Sequence, residues 1–349
     1  MRGALATGAA TRGGCLAARP PRWQGQQPVS AGIVSLEVAP TAHAAAHYHL
    51  LAHFDLGREP ANAFNPVYVQ RVEARRDKGA KSASRQLGRL HSVYRAAAGR
   101  HVLGMLPLAA DDAAAWDRLL DSLYTGEANA NDPPLLRRAL APLAERGGRE
   151  LLALWRELLA AEARAFWDAH WLSGVSLSGD DGSGLQSYLQ LHLVPLLTAF
   201  FGGVPQRVRL VPTEALGARP FSLVRDVGEH RIAVSPVLKT AFFQVLLAMV
   251  KVRTDRMIRP FLPAEIRQRP EHPMNQQMRV DAAITVAHHH LQRHRPERLP
   301  ELRAWALRQF ETTQRQPQAA LEALAPMALI PQEAHGAVQA LLDGKDPGP

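Results

Sequence analysis

Between Lys239 and Lys251 the chain reads TAFFQVLLAMV, which puts apolar side chains on nearly every side of a helix. A helix of that kind lies inside a protein or inside a membrane. The run is well short of the roughly 20 residues that span a bilayer. The chain must therefore surround this helix with protein. What comes before it shows with what: Arg207 to Val211, Phe221 to Val227 and Arg231 to Val234 are short β-branched runs separated by Pro212, Pro220 and Gly228. They read as adjacent strands. Ser235-Pro236 then opens the long helix, which runs to Ile258 before Pro260 and Pro263 end it.

The rest of the chain is mostly helical in pattern. Ile33 to Val38 alternates as a strand, and Pro40-Thr41 leads into a helix from Ala42 to about Phe54 that Gly57 closes. Helical stretches carry Arg71 to Arg95. Asp111-Asp112 starts a helix with Trp116, Leu119, Leu120 and Leu123 on one stripe, and the loop Asn129 to Pro134 ends it. Residues 135–171 read as a helix pair broken at Gly147-Gly148, with Leu151, Trp155, Leu158, Leu159 and Phe166 lining a buried face. Ser173 to Gly184 is a polar loop. Leu185 to Phe201 is apolar almost all round, kinked at Pro195 and stopped by Gly202-Gly203. Helices over about 276–294 and 301–314, and a short C-terminal one, complete the chain.

These patterns define an α+β fold, predominantly helical, with a small sheet of about four strands. Residues 1–30 are expected to form a disordered tail, 31–202 a mainly helical part beginning with one strand, and 203–343 the short strands and long helices. The last two are expected to pack as one domain. The first 36 residues contain Arg2, Arg12, Arg19 and Arg22 and no acidic residue before Glu37. Gly3 to Ala10 is too glycine-rich for a secretory signal, and Arg12-Gly13-Gly14 ahead of Cys15 lacks the aliphatic residue of a lipoprotein signal. With no membrane-length run, a cytoplasmic location is expected.

Charge adds less than its size suggests. The formal net charge is +9, and of 41 basic residues 36 are arginine. Alanine, leucine and proline are over-used alongside arginine while lysine and tyrosine are scarce, the pattern a GC-rich coding sequence imposes on any fold. The basic stretch Arg71, Arg75, Arg76, Lys78, Lys81, Arg85, Arg89 and Arg95 is the best nucleic-acid candidate. It offers only Tyr94 for stacking, so nucleic acid is not the expected partner. A single cysteine, Cys15, excludes an intrachain disulfide framework and a cysteine zinc site.

Histidine is the residue that clusters, with His43, His47, His49 and His53 near the start and His288, His289, His290 and His294 near the end. His49 and His53, like His290 and His294, stand four apart and share a helix face within reach of one metal ion. A hydrolytic zinc motif also needs Glu directly after the first His to take a proton from the metal-bound water. Leu50 and Leu291 stand there instead. The expected reading is partly buried, hydrogen-bonded rings at His49 and His53, and a solvated basic helix end at His288 to His294. Zinc bridging the two helices is the alternative. Gly182-Ser183-Gly184 lacks the spacing of a nucleophile elbow, Gly344-Lys345 lacks a phosphate loop, and Asp180-Asp181 reads as a solvated turn.

Three features, the aromatic helix Leu151 to Trp171, the strand ending Ile232-Ala233-Val234-Ser235-Pro236, and the long helix with Arg253-Thr254-Asp255 near its end, set an order of parts. Over about residues 33–310 this order resembles the gluzincin-type zinc metallopeptidases, in particular bacterial members whose helical N-terminal half precedes a short sheet and an H-E-x-x-H helix. The resemblance implies that the motif would fall at Leu247-Ala248-Met249-Val250-Lys251, where neither ligand nor base is present. Leu247 has no lone pair for zinc, Ala248 cannot take a proton, and Lys251 sets an ammonium where a dication would sit. The third, acidic ligand would come from the following helix, whose one carboxylate is Asp281. The resemblance thus implies a catalytically inactive, metallopeptidase-like binding or structural protein with no cofactor, engaging a peptide or protein partner along the sheet edge by strand addition. The alternatives are a zinc-dependent hydrolase using His49, His53, His290 and His294, and an arginine-mediated nucleic-acid binder.

Overall fold

In the computed structural model the described residues are 33–54, 63–75, 93, 100–126, 132–163, 179–261, 264, 273–310 and 332–343. Four strands form one sheet: β1 (Val34–Val38), β2 (Gln206–Pro212), β3 (Phe221–Asp226) and β4 (Glu229–Val234), in the spatial order β1-β2-β4-β3. β1, β2 and β4 run parallel, and β3 is an antiparallel edge. The hairpin between β3 and β4 turns at Gly228, whose φ of 73° lies in the left-handed region. A β-carbon there would stand 2.8 Å from the Pro205 carbonyl oxygen. β4 thereby takes the inner position, although β3 precedes it in the chain.

The register fixes two faces, because side chains alternate and partners share a side. Val38 faces Leu210, which faces Ile232, and these join Val34, Leu36, Val208 and Val234 on one side of the sheet. The other side carries Val211, Ala233 and Leu223. Each face is covered by its own helical layer, so the sheet lies between two hydrophobic cores. Ser35 and Glu37 remain exposed, which shows that the second layer stops short of β1.

The first layer comprises α7 (Gly179–His192), α8 (Val194–Phe201), α9 (Leu238–Ile258), α10 (Pro273–His294), α11 (Leu299–Phe310) and α12 (His335–Leu342). α9 is the apolar helix, with Ala241 to Val250 buried against β4, α7 and α10. Within that buried stretch the one polar residue, Gln244, accepts from the Ser235 amide at 2.8 Å and donates to the Gly217 carbonyl at 3.0 Å. That pairing fastens the helix to the strand end.

The second layer comprises α1 (Ala42–Phe54), α2 (Pro66–Arg75), α3 (Arg100–Leu103), a 3-10 turn (Leu106–Ala109), α4 (Ala113–Thr125), α5 (Pro134–Ala144) and α6 (Arg146–Glu162). Asp112 caps α4 by accepting from the Ala115 amide at 2.7 Å, and Gly126 ends it at φ 77°. All described residues belong to one unit, Gly32–Pro349.

Predominantly helical α+β architecture with a four-stranded sheet is what the sequence predicts. Three local expectations change. The helix pair breaks at Glu145, and Gly147 and Gly148 lie in the first turn of α6. α7 begins at Gly179, so the second half of the expected polar loop is helical. The apolar run 185–201 is divided at Leu193 rather than kinked, with Pro195 in the first turn of α8, where its missing N–H costs nothing. The tail 1–30, the Gly57 stop and most of the basic stretch 76–95 lie outside the described residues. No described helix is long and apolar enough to cross a membrane.

Candidate functional site

α1 crosses the second layer and carries four histidines, of which the three with described side chains are treated differently by the structure. His47 is fully buried; its Nδ1 accepts from the indole N–H of Trp155 at 3.0 Å, so Nε2 bears the proton and donates to the Leu103 carbonyl at 2.8 Å. Burial holds this ring far below the usual imidazole range, at about 3. His43, one turn earlier, donates from Nε2 to the Pro107 carbonyl at 3.2 Å and stacks on Trp116 with 5.4 Å between ring centres. Desolvation lowers it too, ahead of the opposing Pro107 bond and the Asp112 charge.

His49 lies between two polar groups brought from distant elements. Nδ1 meets the Tyr68 hydroxyl of α2 at 2.8 Å, and Nε2 meets Glu162 Oε1 at the end of α6 at 2.9 Å. All three residues are buried. Burial also raises the Tyr68 hydroxyl well above its ordinary value, so it keeps its proton. Tyr68–His49–Glu162 is thus a hydrogen-bonded chain of hydroxyl, imidazole and carboxylate.

Beside this chain α1, α4 and α6 line an open-mouthed pocket of about 300 Å³. His49 and Glu162 form its polar wall, the His43–Trp116 stack another side, and Leu50, Leu120 and Leu159 most of the remainder. Asp117 and Arg156 stand at its margin, the latter paired with Asp121 at 2.8 Å. A mostly apolar hollow with a few convergent polar groups is the usual form of a small-ligand site. Its chemistry is that of a flat, apolar seat with one ionisable corner.

The positions expected to carry zinc chemistry are elsewhere. Leu247 and Ala248 are core residues of α9, and Lys251 is half-buried one turn further on. Desolvation lowers the Lys251 amine, the Arg279 and Arg219 charges push the same way, and Asp255 opposes them. Asp255 itself is paired with Arg279. An apolar and cationic set of this kind does not fit a dication.

His49 and His290 stand on opposite sides of the sheet, so these two candidate ligands do not meet. Among the described residues no group of three or more His, Cys, Asp or Glu could hold a metal ion. Both nitrogens of His49 are already hydrogen-bonded, whereas a metal ligand must offer one lone pair. His290 donates from Nε2 to the Leu196 carbonyl at 2.9 Å and packs on Phe200, with His294 4.6 Å away ring to ring. The expected solvated helix end is therefore corrected: His288 and His290 are buried and His289 half-buried, because α10 packs against α11 and α12. The side chains of His53 and Asp281 lie outside the described residues.

Glu162 and Tyr68 are the site residues that the sequence does not single out, and Trp116 reads there only as part of an apolar stripe. One signal for Glu162 exists: it follows Leu151, Trp155 and Leu158 in phase on one helical stripe, a carboxylate where the pattern calls for an apolar side chain. In comparisons with protein-family models, curated proteins and solved structures, the chain matches none.

Proposed function

We propose that this chain is a binding protein that carries out no zinc chemistry on the helix following its sheet, and that it takes a small ligand in the cavity under α1. The observation that carries the reading is that cavity, walled by the buried His49–Glu162 pair and the His43–Trp116 stack. Building such a wall costs stability, because a carboxylate and an imidazole leave water for it. A purely structural core would fill the same space with aliphatic side chains at a gain.

The inactive, gluzincin-like scaffold is supported by α9. An antiparallel edge strand precedes it, and its motif positions hold Leu247, Ala248 and Lys251. Binding along the sheet edge draws less support. On β1 the outward backbone groups belong to Val34, Leu36 and Val38, and the Val38 amide already donates to Gln186 Oε1 at 3.3 Å. Two residues make a short docking edge. On the other edge, α5 packs against β3.

A screen of small molecules by thermal shift tests the reading. Compounds that fit the cavity raise the melting temperature of the natural protein, and Leu120→Trp, which fills the hollow, abolishes the rise. Peptide or ester hydrolysis that is lost on chelation and restored by zinc overturns it.

A further inference from the structure

We propose that the pocket under α1 takes an uncharged, largely apolar molecule of single-ring size. This inference rests on the reading of the pocket as a ligand site and adds the charge and size of what enters. Every ionisable group among the described lining residues is either used within the protein or left in water. Glu162 meets His49 Nε2 at 2.9 Å, and the two side chains are 2% and 0% exposed, so a ligand touches almost none of either. His43 stays uncharged near neutral pH, because burial lowers its ring and its Nε2 proton goes to the Pro107 carbonyl. Arg156 pairs with Asp121 at 2.8 Å on the surface, and Asp117 lies in solvent at the margin.

A charged ligand would therefore give up water without meeting a partner. That loss is large in an apolar hollow, for an ammonium and a carboxylate alike. An uncharged ligand escapes it and gains from the apolar area it covers. Ala46, Leu50, Leu120 and Leu159 supply that area, and Trp116, stacked on His43, adds a flat ring surface. At ~30 Å³ for each water-sized group, the hollow holds roughly ten non-hydrogen atoms. A benzene ring with a short substituent has that size.

Four probes of similar size separate charge from shape: ethylbenzene, 2-phenylethanol, 2-phenylethylamine and 3-phenylpropionate, titrated calorimetrically into the full chain at neutral pH. The two uncharged compounds bind at least about tenfold tighter than either ion. Their affinities stay within a factor of about two between about 0.05 M and about 0.5 M sodium chloride, since no charge is there to screen. Leu120→Trp fills the hollow and abolishes their binding. Asp117→Asn, at an exposed position where the fold is not at stake, moves none of the four by more than about twofold. An ion that binds the natural protein as tightly as the uncharged compounds overturns this inference while leaving the pocket as a ligand site, and so does a severalfold loss of amine binding in Asp117→Asn. If none of the four binds, the reading of the pocket as a ligand site falls with it.

Discussion

Trp155 donates its indole N–H to His47 Nδ1 at 3.0 Å, and this one bond sets the tautomer of a fully buried imidazole. With Nδ1 occupied as acceptor, the proton stays on Nε2 and reaches Leu103, which ties α6 to α1 and α1 to α3. Trp155→Phe removes the donor and leaves Nδ1 buried without one. The expected cost is about 1–3 kcal/mol for that nitrogen, with a further loss from the smaller ring. Urea unfolding measures the total, and nitrogen NMR of His47 reports the tautomer. A variant within half a kcal/mol of the natural protein, a threshold of about the ordinary surface-substitution scatter, would show that the bond carries nothing.

The buried histidines make stability fall in acid. His47 is lowered to about 3, and His230 and His290 to about 4, in each case chiefly by burial. In the unfolded chain these rings take up a proton near their ordinary value of about 6.5. Between that value and about 4 the unfolded state binds more protons than the folded one, so stability is present above pH 6.5 and is lost as pH falls. Each of the three contributes on the order of 1 kcal/mol per pH unit in that window. His47 alone continues to about 3. Denaturant titrations at pH 7.5, 6.5 and 5.5 should give steadily lower stability, and His290→Gln should flatten the slope. A level profile over that range is incompatible with neutral buried rings.

Much of the architecture is legible because it depends on local chemistry. The β-branched runs between Pro212, Pro220 and Gly228 form the strands where their pattern predicts them, and the all-apolar run before Lys251 is the buried helix. Where tertiary packing decides, the sequence misleads. Gly179 to Gly184 has poor helix propensity, yet α7 starts there because it lies against β1, with Gly182 facing Val38 and Gln186 bonded to the Val38 amide. The site is the least legible part. Its central bond joins His49 to Glu162, 113 residues apart, and neither spacing nor composition encodes that meeting. The histidines at 288–290 mislead for the same reason: Arg293 and Arg295 nearby suggest solvent, while the opposite side of α10 enters the first core.

Gly148 inverts a general rule. In a helix, alanine normally exceeds glycine by roughly 0.5–1 kcal/mol. Here a β-carbon would stand 2.3 Å from the Pro142 carbonyl oxygen and 2.5 Å from Leu143 Cα, both backbone atoms that cannot swing away. α5 and α6 approach this closely because the connection between them is the single residue Glu145. Gly148→Ala is therefore expected to cost about 2 kcal/mol or more through overpacking. Gly336 in α12 is the control, since nothing lies within 4 Å of its added β-carbon. Gly336→Ala should stabilise by up to about 1 kcal/mol. Calorimetric melting of both variants settles the pair, and a stabilised Gly148→Ala would mean that the two helices are further apart than described.

Asp111 is the meeting point of three guanidiniums, from Arg209 of β2, Arg225 of β3 and Arg231 of β4. Arg231 is the buried one, and it also donates to the Leu108 carbonyl at 3.1 Å and reaches Glu229 at 3.4 Å. Asp111→Asn keeps the shape but removes the charge, leaving Glu229 as the remaining carboxylate beside Arg225 and Arg231. Breaking one side of a buried pair costs more than the pair contributes, because the other charge stays out of water. The expected loss is about 2–3 kcal/mol, at the lower end of that range because Asp111 itself is partly exposed. Asp121, paired with Arg156 at the surface, provides the contrast, and Asp121→Asn should cost less than about 1 kcal/mol. Added salt screens the repulsion among the arginines, so 0.5 M sodium chloride, roughly a 4 Å screening length, should restore part of the Asp111→Asn loss and leave Asp121→Asn unchanged. Equal costs for the two substitutions would show that burial of Arg231 does not govern this cluster.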